Sequence, residues 1–293
     1  NPRYVVTDAQ APVVAQIKGM NVNLTKESEL QYKDGEGAAL VQKYNVATIP
    51  SVILVGAPEK FSLSGFKREG DALVLSEVRP IYIDANTGKS RGRVNITMIT
   101  EPSCKDCFDL SVVSAQLKKL ASVRGETKLV ASSPAAKKLI AQYNISKIPA
   151  LILSEDASVY EAITKEWVNV GTVESDGMFV LRQSPPPYVD TATGQVMGRV
   201  KVTFLADKSC KECYDVSIHQ AVLAQLGINP VSQATVDVTS AEGKSLVAKY
   251  HVESVPTIIL SDDANVFDMV RSVWSQVGTV ESDGSFIFRN MGA

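Results

Sequence analysis

Two pairs of cysteines are the residues of this chain with the clearest capacity for chemistry. They stand as Cys104-Lys105-Asp106-Cys107 and Cys210-Lys211-Glu212-Cys213, and the sequence contains four cysteines in all. Cysteines at this spacing can form a disulfide, exchange disulfides with another thiol, or take part in a metal site. The pairs therefore indicate redox or metal chemistry.

The sequence around each pair predicts a turn between a strand and a helix. A β-rich apolar run precedes each pair, at residues 94–100 and 200–205, and a helical pattern follows. Ser103 and Ser209 are favourable N-cap residues, and Asp106 and Glu212 stand three positions later, as in a capping box. This pattern predicts that the helix begins at the first cysteine of each pair.

A cysteine at the first helical position has an unusual electrostatic environment. The unpaired backbone N–H groups and the positive end of the helix dipole favour the thiolate over the thiol. Lys105 and Lys211 act in the same direction, whereas Asp106 and Glu212 oppose a second negative charge beside them. The sequence does not decide the net effect on the thiol pKa.

Composition narrows the class of protein. The 293 residues are 45% hydrophobic and 21% charged, as in ordinary globular proteins, and the formal net charge is −2. Without a basic surplus, neither nucleic acid nor a membrane surface is predicted as a partner. The longest nearly apolar run, residues 49–58, contains two prolines and is too short to span a bilayer.

Internal repeats decide the predicted domain organisation. The octapeptide Val-Gly-Thr-Val-Glu-Ser-Asp-Gly occurs at 170–177 and again at 277–284, and a Tyr-x-Asp-x-x-Thr-Gly-x-x-x-Gly-Arg-Val motif occurs at 82–94 and 188–200. A Tyr-x-Val/Ile-x-x-Ile/Val-Pro motif ends at Pro50, Pro149 and Pro256. These repeats predict three copies of one module, at residues 1–91, 92–197 and 198–293.

Within a copy, the hydrophobic pattern alternates between strand and helix. The second copy predicts a strand at 94–100, a helix with Val113, Leu117 and Leu120 on its buried face, a strand at 128–131, a short helix ending at Tyr143, and a strand at 150–153. In the third copy the corresponding helix face is Ile218, Val222 and Leu226, and the corresponding strand is 257–260. Such alternation is typical of a largely parallel sheet covered by helices.

The Cys-x-x-Cys turn after the first strand, together with the later Tyr-x-Val-x-x-Val-Pro-Thr segment, resembles the thioredoxin-like superfamily. The resemblance covers the second and third copies and most of the first. It implies an α/β fold in which each copy is a mixed sheet flanked by helices. It also implies a role for each site residue: Cys104 and Cys210 as nucleophiles, Cys107 and Cys213 as resolving thiols, and Pro149 and Pro256 as cis prolines beside the cysteines.

The sequence departs from the usual pattern of that superfamily. Serine replaces the aromatic residue before the first cysteine, and Lys-Asp or Lys-Glu stands between the cysteines. After the third strand, Tyr160, Ile163 and Trp167 show helical spacing before a turn and another strand, where the superfamily places a β-hairpin first and the helix last. We therefore expect the fold to hold with its last elements rearranged.

The first copy differs further. Its alignment with the second places Tyr4 and Thr7 where Cys104 and Cys107 stand, and the sequence begins after the position of the first strand. A sheet without its central strand would leave backbone groups unpaired. We expect the gap to be filled by a strand absent from this sequence, by a rearranged N-terminus, or by a strand from another chain.

The sequence leaves two functions open. The first is thiol–disulfide exchange on protein thiols or disulfides, which requires no cofactor. The second is a structural, self-assembling extracellular subunit whose cysteine pairs are structural disulfides and whose first copy is completed by a neighbouring subunit, giving a head-to-tail filament. A four-cysteine zinc site would require Cys104, Cys107, Cys210 and Cys213 to come together. The closely paired cysteines and the absence of an initial methionine favour a location outside the cytoplasm.

Overall fold

A computed structural model describes residues 10–20 and 22–290 of the chain. These residues form a mixed α/β structure with two five-stranded and three three-stranded sheets. The predicted fold class, mixed sheets flanked by helices, is confirmed. For description we call residues 10–91, 92–197 and 198–290 the first, second and third segments; the predicted module boundaries themselves stay a prediction.

The first segment contains two helices and six short strands. They are α1 (Ala11–Lys18), α2 (Gly35–Lys43), β1 (Thr48–Ile49), β2 (Ile53–Val55), β3 (Phe66–Glu69), β4 (Ala72–Leu75), β5 (Tyr82–Asp84) and β6 (Ser90–Arg91). One sheet has the order β2-β4-β3 and the other β1-β5-β6, and all of their pairings are antiparallel.

The second segment is built around the buried strand β7 (Val94–Thr100). The elements that follow are α3 (Leu110–Leu120), β8 (Val123–Val130), α4 (Pro134–Gln142), β9 (Lys147–Ile148), β10 (Ala150–Leu153), a 3-10 turn (Glu155–Val159), α5 (Glu161–Val170), β11 (Gly171–Val173), β12 (Phe179–Leu181), β13 (Tyr188–Asp190) and β14 (Val196–Met197). The main sheet has the order β11-β12-β10-β7-β8.

The third segment repeats this order. Its elements are β15 (Lys201–Ala206), a 3-10 turn (Val216–Ile218), α6 (His219–Gln225), β16 (Ser232–Asp237), α7 (Ala241–Tyr250), β17 (Thr257–Leu260), a 3-10 turn (Asp262–Val266), α8 (Asp268–Val277), β18 (Gly278–Val280) and β19 (Phe286–Phe288). The sheet order β16-β15-β17-β19-β18 corresponds strand for strand to that of the second segment.

The expectation of a largely parallel sheet is wrong. Only the pairs β7–β8 and β15–β16 are parallel among the described strands, and every other pairing is antiparallel. The reason is that only α3 in the second segment and α6 in the third cross between neighbouring strands, which is the connection that a parallel pair requires. The mixed sheet implied by the resemblance is the correct description.

The predicted order of the last elements is confirmed. In both segments a helix precedes the terminal hairpin, and Trp167 and Trp274 lie on the buried faces of those helices. Each indole N–H donates to a backbone carbonyl of the repeated octapeptide, Thr172 or Thr279, at 3.1 Å. The backbone of each octapeptide thus accepts a hydrogen bond from the buried tryptophan of the helix before it.

The predicted faces of two other helices are partly wrong. On α3 the buried residues are Leu110, Ser114 and Leu117, whereas Leu120 is exposed. On α6 the buried residue is Leu223, and the predicted Val222 is exposed. The predicted Ile218 lies in the preceding 3-10 turn and is also exposed.

Each repeated Tyr-x-Asp motif forms a small hairpin that we call a connector. The first connector is residues 82–91 and the second is residues 188–197. The second connector turns at Asp190, whose carboxylate accepts the backbone N–H groups of Ala192 and Thr193 at 3.0 and 2.8 Å. Its strand β13 pairs antiparallel with β9, the strand that ends immediately before Pro149. The first connector makes the same pairing through β5 and β1.

The main sheet of the first segment is smaller. Within residues 10–20 and 22–290, strand β2 pairs with β4 alone, although its counterparts β10 and β17 each pair with two strands. Residues 22–31, at the position of β8, form neither helix nor strand. Tyr4 and Thr7 lie outside the described residues, so the proposed degeneracy of this copy stays a prediction.

No helix among the described residues is long and apolar enough to span a membrane.

Candidate functional site

Both cysteine pairs lie between an interior strand of a five-stranded sheet, β7 or β15, and the helix that follows it. Cys104 is bonded to Cys107 and Cys210 to Cys213, and all four side chains are partly buried. The backbone N–H of Cys104 donates to the Glu101 carbonyl at 3.0 Å, and that of Cys210 donates to the Asp207 carbonyl at 3.2 Å. Each disulfide therefore closes a turn directly after its strand.

The predicted helix start at Cys104 is wrong. Ser103 does not cap a helix, because its backbone N–H and its hydroxyl both donate to the Glu101 carboxylate, at 3.2 and 2.9 Å. Helix α3 begins at Leu110, and its N-cap is Asp109, which accepts the Ser111 N–H at 2.8 Å. The helix dipole therefore acts six residues beyond Cys104 and gives its sulfur no thiolate stabilisation of the predicted kind.

The second pair shows the same correction. The backbone N–H and hydroxyl of Ser209 donate to the Asp207 carboxylate at 2.8 and 2.6 Å. A 3-10 turn begins after Asp215, whose carboxylate accepts the Ser217 N–H at 2.9 Å. Hydrogen bonds from the backbone N–H and then the side chain of Ser217 lower the pKa of Asp215. The sequence contains the true cap as an Asp-x-Ser pattern at 109–111 and 215–217. The Ser-x-x-acid pattern at 103–106 and 209–212 also resembles a helix start, and the prediction followed that earlier pattern.

The charges beside the two pairs differ. Asp106, between the first two cysteines, accepts from the Arg199 guanidinium at 2.8 Å. Glu212 holds the corresponding position in the second pair and is exposed. The opposition of Asp106 to a thiolate is therefore partly neutralised by a residue from the third segment, which the sequence did not predict.

The two site prolines lie where the resemblance implies. The peptide bonds Ile148–Pro149 and Val255–Pro256 are cis, as expected, and both proline side chains are buried. Ile148 and Ala150, on either side of Pro149, belong to the apolar cluster against which Cys104 and Cys107 pack. A part of either proline in catalysis stays a prediction.

Tyr214 and His219 form a polar pair beside the second disulfide that the sequence analysis did not identify. The Tyr214 hydroxyl donates to the Pro256 carbonyl at 2.9 Å and lies 3.1 Å from His219 Nε2. The His219 ring lies edge-on to Phe288, with ring centres 4.8 Å apart. Burial raises the pKa of Tyr214 and lowers that of His219, which favours their neutral forms.

A comparison of the third segment with the second could have identified this pair from the sequence. At the corresponding positions that segment has Phe108 and Val113, which cannot make these hydrogen bonds. An open cavity of about 280 Å³ also adjoins Tyr214, between the strands β15 and β16 and the 3-10 turn. The residue that follows the second disulfide is thus polar, fixed to the proline loop, and next to accessible space.

The four cysteines do not form a common site. Each is bonded to its near neighbour, and within the described residues no group of three or more histidine, cysteine, aspartate or glutamate side chains is placed to hold a metal ion. The zinc-site alternative is therefore not supported by this arrangement. His251, the other histidine, is exposed in a left-handed conformation at the end of α7.

Comparisons with known proteins add little to this description. No family model matches the sequence, and no curated protein matches it. Among solved structures, the alkylhydroperoxide reductase AhpF of Enterococcus faecalis matches over 58% of this chain and 81% of its own, at 16% identity and a TM-score of 0.20. The NTD_N/C domain of the same reductase matches over 58% and 82%, at 14% identity and a TM-score of 0.17.

Full-length ERdj5 is a further similar structure. It matches over 58% of this chain at 10% identity and a TM-score of 0.18, and the match spans 25% of its own length. Similarities at this level carry no argument about fold or activity. The functional reasoning therefore depends on the geometry of this chain.

Proposed function

We propose that the protein carries out thiol–disulfide exchange on the thiols or disulfides of other proteins. One observation supports this function above all: each of two Cys-x-x-Cys pairs forms a partly exposed disulfide in a turn that follows an interior strand of a five-stranded sheet. A disulfide at such a turn is accessible to an attacking thiolate, while the strand holds its backbone in place. No cofactor enters this reaction.

The reaction transfers two electrons. When reduced, the thiolate of Cys104 or Cys210 attacks a substrate disulfide, and one substrate sulfur leaves as a thiol after taking a proton. Cys107 or Cys213 then attacks the mixed disulfide, which releases the second substrate thiol and restores the internal disulfide. The reverse sequence oxidises a substrate dithiol. The assignment of the first and second cysteine in each pair rests on the resemblance.

The reduction potentials of the pairs test this function. The protein would be equilibrated in glutathione buffers, the free thiols trapped with a maleimide, and each pair quantified by peptide mass spectrometry. We expect at least one potential between about −120 and −270 mV, the range of exchange proteins. Potentials below about −300 mV for both pairs would instead identify structural disulfides and contradict the proposal.

Trapping an intermediate gives a second test. A Cys213→Ala variant of the reduced protein should accumulate a mixed disulfide with a disulfide-bonded test protein, because the resolving thiol is missing. Cys210→Ala, the matched control, should accumulate much less. The same comparison applies to Cys107→Ala and Cys104→Ala.

Self-assembly is a second candidate function, and one observation favours it. Strand β2 presents an edge that no strand within the described residues covers, whereas β10 and β17 are paired on both edges. A strand from a second copy of this chain would satisfy those backbone groups. The solution mass, measured at increasing protein concentration, tests this candidate, and monomers at all concentrations would contradict it.

Disulfides suit an oxidising environment, so we also propose a location outside the cytoplasm.

A further inference from the structure

The cavity beside Tyr214 has the size and the lining of a site for one long side chain. Its volume of about 280 Å³ is at the small end of the range for ligand pockets, roughly 300–1,000 Å³. Part of the lining is apolar, since Phe204 and Val216 belong to the cluster that also contains Leu223 of α6. Asp215 is the one charged residue among the described residues that line it. An apolar stem with a positive end would match this lining.

The cavity adjoins the second disulfide through Tyr214. This tyrosine directly follows Cys213, and its hydroxyl is held by the Pro256 carbonyl at 2.9 Å. Further along the lining, the Gln220 amide donates to the Gln233 side-chain oxygen at 2.8 Å. A side chain in the cavity would therefore bring its own main chain close to the cysteine turn.

The second segment has a lysine where this cavity has a threonine. Met98 and Phe204 are equivalent residues, because each lies four positions after the valine that ends the repeated linker motif. Lys128 is the β8 partner of Met98, and Thr235 is the β16 partner of Phe204. Lys128 and Thr235 therefore hold the same place on the strand beside the disulfide turn.

This lysine acts on the carboxylate that corresponds to Asp215. Hydrogen bonds from Ser111 lower the pKa of Asp109, and the positive charge of Lys128 acts in the same direction. For Asp215 the lowering comes from the hydrogen bonds of Ser217. The second segment thus supplies its own cation near the cap carboxylate, whereas the third has an open cavity there.

We infer that this cavity binds a lysine or arginine side chain of the substrate protein and so selects substrates for Cys210–Cys213. The inference rests on the proposed function and names a substrate class for one pair: proteins with a basic residue near the reacting cysteine. In the reduced pair, the Cys210 thiolate attacks the substrate disulfide, and one substrate sulfur leaves and takes up a proton. Cys213 then loses its proton and attacks the mixed disulfide, which releases the second substrate thiol and closes the Cys210–Cys213 disulfide.

Peptide disulfides test this preference in the intact chain. Reduced protein would be mixed with the disulfide of Ac-X-Gly-Cys-Gly-X-amide, where X is lysine, glutamine or glutamate. The reaction would be quenched with a maleimide at successive times, and each pair followed separately by peptide mass spectrometry. We expect the lysine peptide to oxidise Cys210–Cys213 about fivefold faster than the glutamine peptide, and the glutamate peptide to be slowest. At Cys104–Cys107 the lysine and glutamine peptides should differ by less than about twofold.

Exchanging residues between the segments tests the cause of the preference. Asp215→Asn removes the charge but keeps a residue that can cap the 3-10 turn, and Thr235→Lys copies Lys128 at an exposed position. Each should reduce the lysine preference of Cys210–Cys213 to less than about twofold. Lys128→Thr should give Cys104–Cys107 a lysine preference. In every variant the pair of the other segment should keep its native rates, which reports on the folding of the same molecule.

The outcomes separate this inference from the proposed function. Equal rates with the lysine and glutamine peptides at Cys210–Cys213 would overturn the inference. A lysine preference that both Asp215→Asn and Thr235→Lys leave intact would also overturn it. Oxidation of either pair by any of the peptides would still support the exchange function. If no peptide oxidises either pair, or if neither pair can be reduced without denaturant, both conclusions fail.

Discussion

The guanidinium of Arg199 lies 2.8 Å from the carboxylate of Asp106, so a residue just after the second connector contacts the turn that carries the first disulfide. Both side chains are about half exposed, at 50% and 45%. An ion pair in such a position is weak and screened by salt. It adjusts the charge near Cys104 without determining the fold.

Arg199→Ala should therefore have a small and salt-dependent effect. We expect it to lower the free energy of unfolding by at most about 1 kcal/mol at low ionic strength, and by less at 1 M salt. Urea denaturation at the two salt concentrations measures this difference. Lys201→Ala, at an exposed position nearby in the chain, is a suitable control. A large loss that persists at high salt would show that the contact is structural.

Gly171 and Gly278 should tolerate no side chain. A Cβ at Gly171 would lie 2.4 Å from the Val180 carbonyl oxygen and 2.6 Å from the Trp167 indole nitrogen. Gly171→Ala should therefore lower the free energy of unfolding by about 1–3 kcal/mol, and Gly278→Ala should do the same. Gly125→Ala is the control, since only Asn95 lies within 4 Å of its Cβ position, at 3.8 Å. Equal effects at all three glycines would contradict the steric explanation.

Arg289 should not be replaceable by lysine. Its guanidinium donates to the Glu281 carboxylate at 2.9 Å, to the Tyr250 carbonyl at 2.7 Å and to the Thr279 hydroxyl at 2.6 Å. Lysine cannot reach these acceptors together. We expect Arg289→Lys to lower the free energy of unfolding by about 1–3 kcal/mol. Arg182→Lys should have a comparable effect through Glu174, and a negligible change in both variants would contradict this account.

Lowering the pH should remove the contribution of Glu281 to the free energy of unfolding. Hydrogen bonds from the Thr279 hydroxyl and then from Arg289 lower the pKa of this carboxyl in the folded protein. Its contribution is thus present above the unfolded pKa, about 4.3, and is lost as the pH falls through the folded value. The stability difference between the native protein and Glu281→Gln, measured by denaturation at pH 7 and pH 3, should shrink at pH 3. A constant difference would contradict this.

His219 should make the protein more sensitive to mild acid. Burial lowers its pKa, so the unfolded chain binds a proton more readily than the folded protein does. Stability therefore falls as the pH drops below about 6.5 and stops falling below the folded pKa. His219→Val, which copies Val113 of the second segment, should lose less stability than the native protein between pH 7.5 and pH 5.5. An unchanged pH dependence would show that His219 is not responsible.

The strands were the most predictable part of the fold. The expected strands at 94–100, 150–153 and 257–260 have the observed bounds, because each is rich in apolar and β-branched residues that are mostly buried. The helix starts were less predictable, since Ser103 and Asp109 both offer cap signals and only the folded turn decides between them. The Ser103 hydroxyl donates to the Glu101 carboxylate, so Asp109 caps the helix instead.

The candidate site was predicted only in part. The pairing of the cysteines and the position of Pro149 and Pro256 followed from spacing and resemblance. The contact between Tyr214 and His219 did not, because it joins residues on either side of a 3-10 turn whose geometry the sequence does not show. The presence of Val189 in the apolar cluster against which Cys104 packs was equally hard to predict, since it depends on how a distant hairpin packs.

The connectors also have a mechanical consequence. The second connector is paired along β13 with β9, and the backbone N–H of Gly198, just after it, donates to the Asp263 carboxylate in the third segment at 2.8 Å. A pulling force on the chain would therefore load these hydrogen bonds before any slack could extend. We therefore expect the link between the second and third segments to bend little and to resist proteolysis.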